Sequence, residues 1–332
     1  MAATADSNCI AIAGPGAWGI ALANALARGG RRVLLWGRDP QAIAAMQKTR
    51  ASAHLPGVIL HETVTPTPEL GALAEAGTVL IVVPAQNLRE VALKLAPVLR
   101  AGVPVVSCAK GIERGSGLMM NEVLAQCLGA NPPAVLSGPS FANDVARGLP
   151  TAVTLAAKDA GRAKALAATL SAPGFRLYHS VDVIGVEIGG AAKNVLAIAA
   201  GIVAGRQLGE SAKAALITRG FAELARLGRA LGGRTETLMG LSGLGDLILT
   251  CGTAQSRNYS LGLALGRGAD VAQAAGAKLA EGAYTASVLV ELAHAHKIEM
   301  PIAASVDAVL AGRLSIDAAM EALLARPQRA EA

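Results

Sequence analysis

Residues 9–27 read CIAIAGPGAWGIALANALA. An apolar run, Ile10–Ala13, opens into Gly14-Pro15-Gly16-Ala17-Trp18-Gly19, and an Ala- and Leu-rich stretch follows. The order is strand, GxGxxG turn, helix. In such a turn the first glycine permits the tight reversal and the second lets backbone approach a pyrophosphate. The third lets helix pack closely on strand, and the helix N-terminus then faces the phosphates. A GxGxxG alone is weak evidence, but one that follows a strand and opens a helix has the context that gives the motif its meaning. Cys9–Ala27 carries no charged residue, yet its first half is rich in glycine and no Lys or Arg precedes it. A signal peptide wants a basic start and a spanning helix wants continuous helix formers, so neither fits. No other spanning candidate is read from the sequence.

Downstream, short apolar runs alternate with helical stretches. Strands are predicted at Ile10–Ala13, Val33–Trp36, Val79–Val83, Val103–Ser107, Ala134–Leu136 and Thr151–Ala156, with helices such as Trp18–Gly29 and Leu88–Leu99 between them. That alternation predicts an α/β domain with a mostly parallel sheet. After Tyr178-His179-Ser180 the pattern turns helical: Val183–Gly205, Lys213–Leu231, Thr285–Ala295 and Ser305–Leu324. The expected organisation is an α/β domain over 1–181 that carries the dinucleotide turn, and an all-α domain over 182–332.

The chain has 332 residues, enough for two domains of ordinary size. Its formal charge is +6, but the basic residues are dispersed and not interleaved with aromatics. This favours an anionic small molecule over nucleic acid. Cys9, Cys108, Cys127 and Cys251 are scattered without metal-ligand spacing, which reads as reduced thiols in a cytoplasmic protein and no metal site.

The second strand ends in Trp36-Gly37-Arg38-Asp39. Asp39 stands near the place of an acid that would hold a ribose 2′-hydroxyl, but Pro40 follows, so it is equally a helix cap. Arg38 suits the 2′-phosphate of NADP, and the reading leans to NADPH/NADP, with NADH/NAD open. Lys110 follows an apolar strand, where open parallel sheets bind ligands, and reads equally as a surface lysine in a loop. Ser137-Gly138-Pro139-Ser140-Phe141-Ala142 also follows a strand and offers N–H and hydroxyl donors, or is a plain turn, since Gly-Pro is a turn signal. Lys193 lies in a helical stretch, Val183–Gly205, whose only other charged residue is Glu187. A lysine there either reaches back to water or is held in a site. Asp246, beside an apolar run, needs a partner, with Lys193 and Lys110 as candidates. Ser256-Arg257-Asn258 reads as a phosphate clamp or as an ordinary helix cap.

Together these pieces resemble the bacterial NAD(P)-dependent glycerol-3-phosphate dehydrogenases, nearly end to end. The resemblance rests on Gly14–Gly19 with Ile20-Ala21-Leu22-Ala23, Leu55-Pro56-Gly57, Lys110-Gly111 and Gly138-Pro139-Ser140-Phe141-Ala142. It continues through Gly185-Val186-Glu187-Ile188-Gly189-Gly190 with Lys193-Asn194, Gly243-Leu244-Gly245-Asp246, Ser256-Arg257-Asn258, Glu281-Gly282 and Met300-Pro301. It implies a Rossmann-like dinucleotide-binding N-terminal domain, an all-α C-terminal domain and a site between them. It also implies reversible reduction of dihydroxyacetone phosphate to sn-glycerol 3-phosphate, a phospholipid precursor, in a cytoplasmic enzyme that is often a homodimer, with no stable membrane insertion.

The resemblance also implies residue roles. Lys193 is the proton acceptor in the oxidative direction, and Lys110 and Asp246 complete the catalytic set. Lys110, Gly138, Ser140, Lys193, Asp246, Ser256, Arg257 and Asn258 line the substrate. Gly14, Gly16, Ala17, Trp18, Gly19, Arg38, Lys110, Ala142, Arg257, Leu279 and Glu281 are expected near the dinucleotide. The chain departs from the family pattern at His54, Pro15, Ala17 and Asp144, none of which removes a group the chemistry needs. Two rival readings are a dehydrogenase for another anionic 2-hydroxy compound and a dinucleotide-binding sensor without turnover.

Overall fold

The structure is a computed structural model in which residues 6–275 and 280–327 are described. Eight strands form one sheet: β1 (Asp6–Ala13), β2 (Arg32–Trp36), β3 (Val64–Thr67), β4 (Ala76–Ile81), β5 (Val105–Ser107), β6 (Pro133–Ser137), β7 (Thr151–Ala156) and β8 (Phe175–Ser180). Their order is β3-β2-β1-β4-β5-β6-β7-β8. All neighbours run parallel except β6 and β7, which are antiparallel. The strand order reverses between β1 and β4, the place where open α/β sheets bind ligands.

Alternation in β1 explains why the sheet is covered on both sides. Ile10 and Ile12 join one apolar cluster, with the helix Ala17–Arg28. Cys9, Ala11 and Ala13 join another, with the helix Leu88–Leu95. Two strands were not anticipated. β3 contains Pro66 and lies at one edge, where a missing ladder donor is tolerated. β8, FRLYHS, lies at the other edge and has a half-polar, half-exposed pattern. The ladder of β5 starts at Val105 rather than Val103, because Pro104 has no N–H to donate.

The helical region is organised around the helix Val183–Gly205. Its 23 residues make a helix long and apolar enough on average to cross a membrane, contrary to the reading that found no such segment. It is instead a core helix: 83% of its most apolar window is buried inside the protein. Against it lies the helix Arg257–Gly266, backbone to backbone. A Cβ on Gly201 would stand 2.1 Å from Tyr259 O, and one on Gly262 would stand 2.0 Å from Ile198 O. Gly205 and Gly266 make the same kind of approach further along. The predicted helix Ser305–Leu324 is two helices, Pro301–Leu310 and Ile316–Leu324. Gly312 adopts φ +68 between them, and the Ser315 hydroxyl caps the second by accepting from Ala318 N–H.

Buried carboxyls tie these elements together by accepting from the N–H groups of helix starts. Glu187 accepts from Asn121 N–H in the first turn of the helix Met120–Cys127. Glu223 accepts from Ile302 and Ala303 N–H at the start of Pro301–Leu310. Asp182 caps the central helix through Gly185 N–H and also takes Arg234 N–H. Such carboxyls satisfy orphan donors, but their burial pushes Glu187 up to about 8 and Glu223 up to about 7.

Candidate active site

The Gly-rich turn sits at the carboxyl ends of β1 and β4, and its three glycines do three different things. Gly14 has φ +125, and a Cβ there would lie 2.2 Å from Val82 O, so the turn abuts the end of β4. A Cβ on Gly19 would lie 1.9 Å from Gly14 O, so the helix can close on the turn only without a side chain. Gly16 faces nothing within 4 Å. Gly16 is also the N-cap of Ala17–Arg28, with no side-chain cap on the helix. Open space over uncapped N–H donors fits the pyrophosphate of a dinucleotide. The unusual Pro15 is accommodated by Gly37, where a Cβ would meet the proline ring at 2.6 Å.

Among the other residues assigned to the dinucleotide, Arg38 is exposed. The Asp39 carboxylate accepts from Gln41 and Ala42 N–H, so it serves as the cap of the helix Pro40–Thr49. Trp18 packs edge-on against Phe175, with ring centroids 6.3 Å apart. Ala142 opens the short helix Ala142–Ala146. The Glu281 carboxylate accepts from Ala85 N–H in the turn after β4, and burial raises its pKa. Leu279 lies outside the described residues.

The polar groups of the apolar stretches converge at the neighbouring strand ends. Asp246 is 1% exposed and is shared by two lysines. Its Oδ1 accepts from Lys193 Nζ at 2.6 Å, and its Oδ2 accepts from Lys110 Nζ at 2.7 Å. Lys193 comes from the central helix and Lys110 from the segment after β5. Asp246 begins a short helix, Asp246–Cys251, after a π-turn over Leu241–Gly245 that fits against Gly189 of the central helix. Lys193 also donates to Thr250 Oγ1 at 2.7 Å, and Lys110 also donates to Gly138 O at 2.9 Å. Each ammonium has three protons, so each keeps one beyond these contacts. Burial lowers the Lys193 pKa to about 8, against the opposing pull of Asp246.

Gly138 holds its place with φ +144, packed against Val153 Cα. Its carbonyl also accepts from the Ser140 hydroxyl at 3.0 Å, so that hydroxyl faces the Lys110 contact. Ser256 is the N-cap of Arg257–Gly266 and accepts from Tyr259 N–H, as the cap alternative required. Arg257 is exposed at the start of that helix, while Asn258 is buried. The cluster joins Lys110, Lys193 and Asp246 with Thr250, and Asn258 reaches the Lys110 carbonyl through Asn194, whereas among the described residues no side-chain hydrogen bond ties Ser256 or Arg257 to it. Thr250 was passed over because a threonine in an apolar run gives no signal of its own. Its position four residues after Asp246 places both on one helix face. Among the described residues no group of three or more His, Cys, Asp or Glu is disposed to hold a metal ion.

Family models match over most of the chain: NAD-dependent glycerol-3-phosphate dehydrogenase N-terminus over residues 9–163, and the C-terminus of the same family over 182–321. The chain belongs to this family. It is 63% identical to the glycerol-3-phosphate dehydrogenase (NAD(P)+) of Azorhizobium caulinodans, over 97% of this chain and 98% of the relative. It is 61% identical to that of a Bradyrhizobium strain, again over 97% and 98% of the two chains. Among solved structures, a glycerol-3-phosphate dehydrogenase of Coxiella burnetii superposes with a TM-score of 0.91 at 43% identity, covering 96% of this chain and 99% of that one.

Proposed function

We propose that this chain catalyses the reversible NAD(P)H-dependent reduction of dihydroxyacetone phosphate to sn-glycerol 3-phosphate. The observation that carries the reading is the buried Lys193–Asp246–Lys110 cluster beside a Gly-rich turn open to a dinucleotide. The nicotinamide supplies or removes the hydride. Lys193 gives its remaining ammonium proton to the ketone oxygen as that oxygen gains negative charge, and in the reverse direction neutral Lys193 takes the proton from the hydroxyl. A pKa lowered towards 8 makes both states accessible. Asp246 fixes the aim of both lysines, and the remaining proton of Lys110 adds positive charge next to the same oxygen. Arg257, at a helix N-terminus with Ser256 as its cap, binds the substrate phosphate. The Gly138 carbonyl holds the Lys110 ammonium, and Gly138, Ser140 and Asn258 line the substrate.

NADPH is the preferred reductant in this reading. Asp39 uses its carboxylate on the helix cap, while Arg38 beside it is exposed and suited to a 2′-phosphate. Supply of glycerol phosphate for phospholipid synthesis, a cytoplasmic location and assembly as a homodimer belong to the same proposal. The central apolar helix is used as core, in keeping with a protein that does not insert in a membrane.

The test is the loss of reduced-nicotinamide absorbance on adding dihydroxyacetone phosphate, with NADPH and NADH in parallel. Rapid loss, faster with NADPH, is the expected outcome, and Arg38→Ala should reduce the preference. No loss with either cofactor, in protein that binds NADPH, would assign the site to a different anionic ketone.

A further inference from the structure

Two buried asparagines beside the catalytic cluster form a chain that runs across the molecule. Gly282 N–H donates to Asn258 Oδ1 at 2.9 Å, Asn258 Nδ2 donates to Asn194 Oδ1 at 3.0 Å, and Asn194 Nδ2 donates to Lys110 O at 3.3 Å. The direction is fixed at both ends. A backbone N–H can only donate and a backbone carbonyl can only accept, so neither amide can be turned over without breaking two contacts. The residues come from three helices and from the segment after β5 that carries Lys110. Gly282 has to be glycine for the chain to close: a Cβ there would lie 2.6 Å from Asn194 O and 2.7 Å from Asn258 Oδ1.

The two ends of this chain lie on different sides of the site. Gly282 follows Glu281, whose carboxylate holds Ala85 N–H in the turn after β4, the strand that abuts Gly14. The other end is the backbone of Lys110, whose ammonium is already held by Asp246 and Gly138. We propose that Asn258, Asn194 and Gly282 are positioning residues that couple the dinucleotide side of the site to the placement of Lys110. This rests on the dehydrogenase reading above. Asn258 therefore acts through Asn194 and Lys110 as well as through any contact of its remaining N–H with substrate. Head-to-tail amides polarise one another, so the chain behaves as a unit and not as separate bonds.

The test is a double-mutant cycle of Asn194→Asp and Asn258→Asp in the full chain, with dihydroxyacetone phosphate turnover and NADPH binding by fluorescence titration. Each carboxylate sets acceptor against acceptor in the chain. The expected result is a fall in kcat of at least about 10-fold for each variant and a double variant whose loss departs from the product of the two single losses. NADPH binding should weaken several-fold in Asn258→Asp. Multiplicative losses in the double variant, or an Asn258→Asp that raises only KM for the phosphorylated ketone, would overturn the proposal. Should the aspartates prevent folding, Asn258→Ser removes the same relay with a smaller side chain and is read in the same way. Wild-type turnover, measured first, tests the dehydrogenase reading separately: its absence overturns that reading, while the NADPH-binding arm still reports on the coupling.

Discussion

The Gly-rich turn and the lysine–aspartate cluster both lie at the carboxyl ends of the sheet strands but are made in opposite ways. The turn is built by six consecutive residues, Gly14 to Gly19, and works through backbone: what matters is where side chains are missing. The cluster is built by side chains separated by long stretches of sequence, Lys110, Lys193 and Asp246, and works by placing charges where water is largely excluded. A backbone site costs little to form once strand and helix are in place. A buried charged site is tolerable only because each ion has a partner, and removing one partner exposes that cost.

The largest effect should follow from Lys193→Ala. Turnover should fall by roughly 10³-fold or more, since the group that transfers the proton is gone. Asp246 keeps Lys110 as a partner, so the protein should fold, and NADPH titration should show binding within a few-fold of wild type. Near-normal turnover would remove Lys193 from the mechanism.

Asp246→Asn should differ, because it leaves two lysines facing each other without a counter-ion. A stability loss of about 3–5 kcal/mol is expected by denaturant titration, together with loss of activity. An unchanged midpoint would mean that the lysines find other partners or lose a proton.

In the turn, two glycine substitutions should separate folding from binding. Gly19→Ala forces a Cβ onto Gly14 O and should lower the melting temperature as well as cofactor affinity. Gly16→Ala adds a methyl where there is open space, so the melting temperature should hold. NADPH affinity should still drop by about 10-fold, because the methyl occupies the approach of the pyrophosphate. Equal melting temperatures for both variants would contradict the packing described for Gly19.

The smallest effect concerns the buried carboxyls that cap helices across the fold. Glu223 has its folded pKa raised from 4.5 to about 7, and Glu187 from 4.5 to about 8. Between the unfolded and folded values the native state binds more protons than the unfolded one, so stability falls as pH rises through that window. The full cost is present above about pH 8 and absent below 4.5. Glu223→Gln keeps an acceptor for Ile302 N–H without the charge, and should flatten the pH dependence by roughly 1–3 kcal/mol between pH 5 and 8. Urea midpoints across that range test it, and an unchanged slope would show that Glu223 titrates normally.

Much of this architecture could be read from the chain because its signals are local. Strand, glycine turn and helix are adjacent in sequence, and the apolar run around Lys193 marks a buried helix without reference to any neighbour. Ser256 showed itself as a cap candidate by residue type and position. β3 and β8 were missed because edge strands bury one side only and tolerate proline and polar residues. The break at Gly312 was missed because an isolated glycine in an apolar run does not reveal its φ. Asp246 was recognised as needing a partner, but the choice between Lys193 and Lys110 was open, and the structure uses both.

The sequence by itself determined the interior strands and most helices, the dinucleotide turn and the presence of charges that apolar segments could not leave unpaired. Periodicity and turn chemistry act over a few residues, so they are legible in one dimension. Only the tertiary structure decided that one carboxylate serves two lysines, that Thr250 completes the Lys193 contacts, and that Asn194 and Asn258 join Gly282 to Lys110. Those arrangements depend on how closely helices approach, and the approach is set by Gly201, Gly262 and Gly282, whose missing side chains acquire meaning only against the backbone they face.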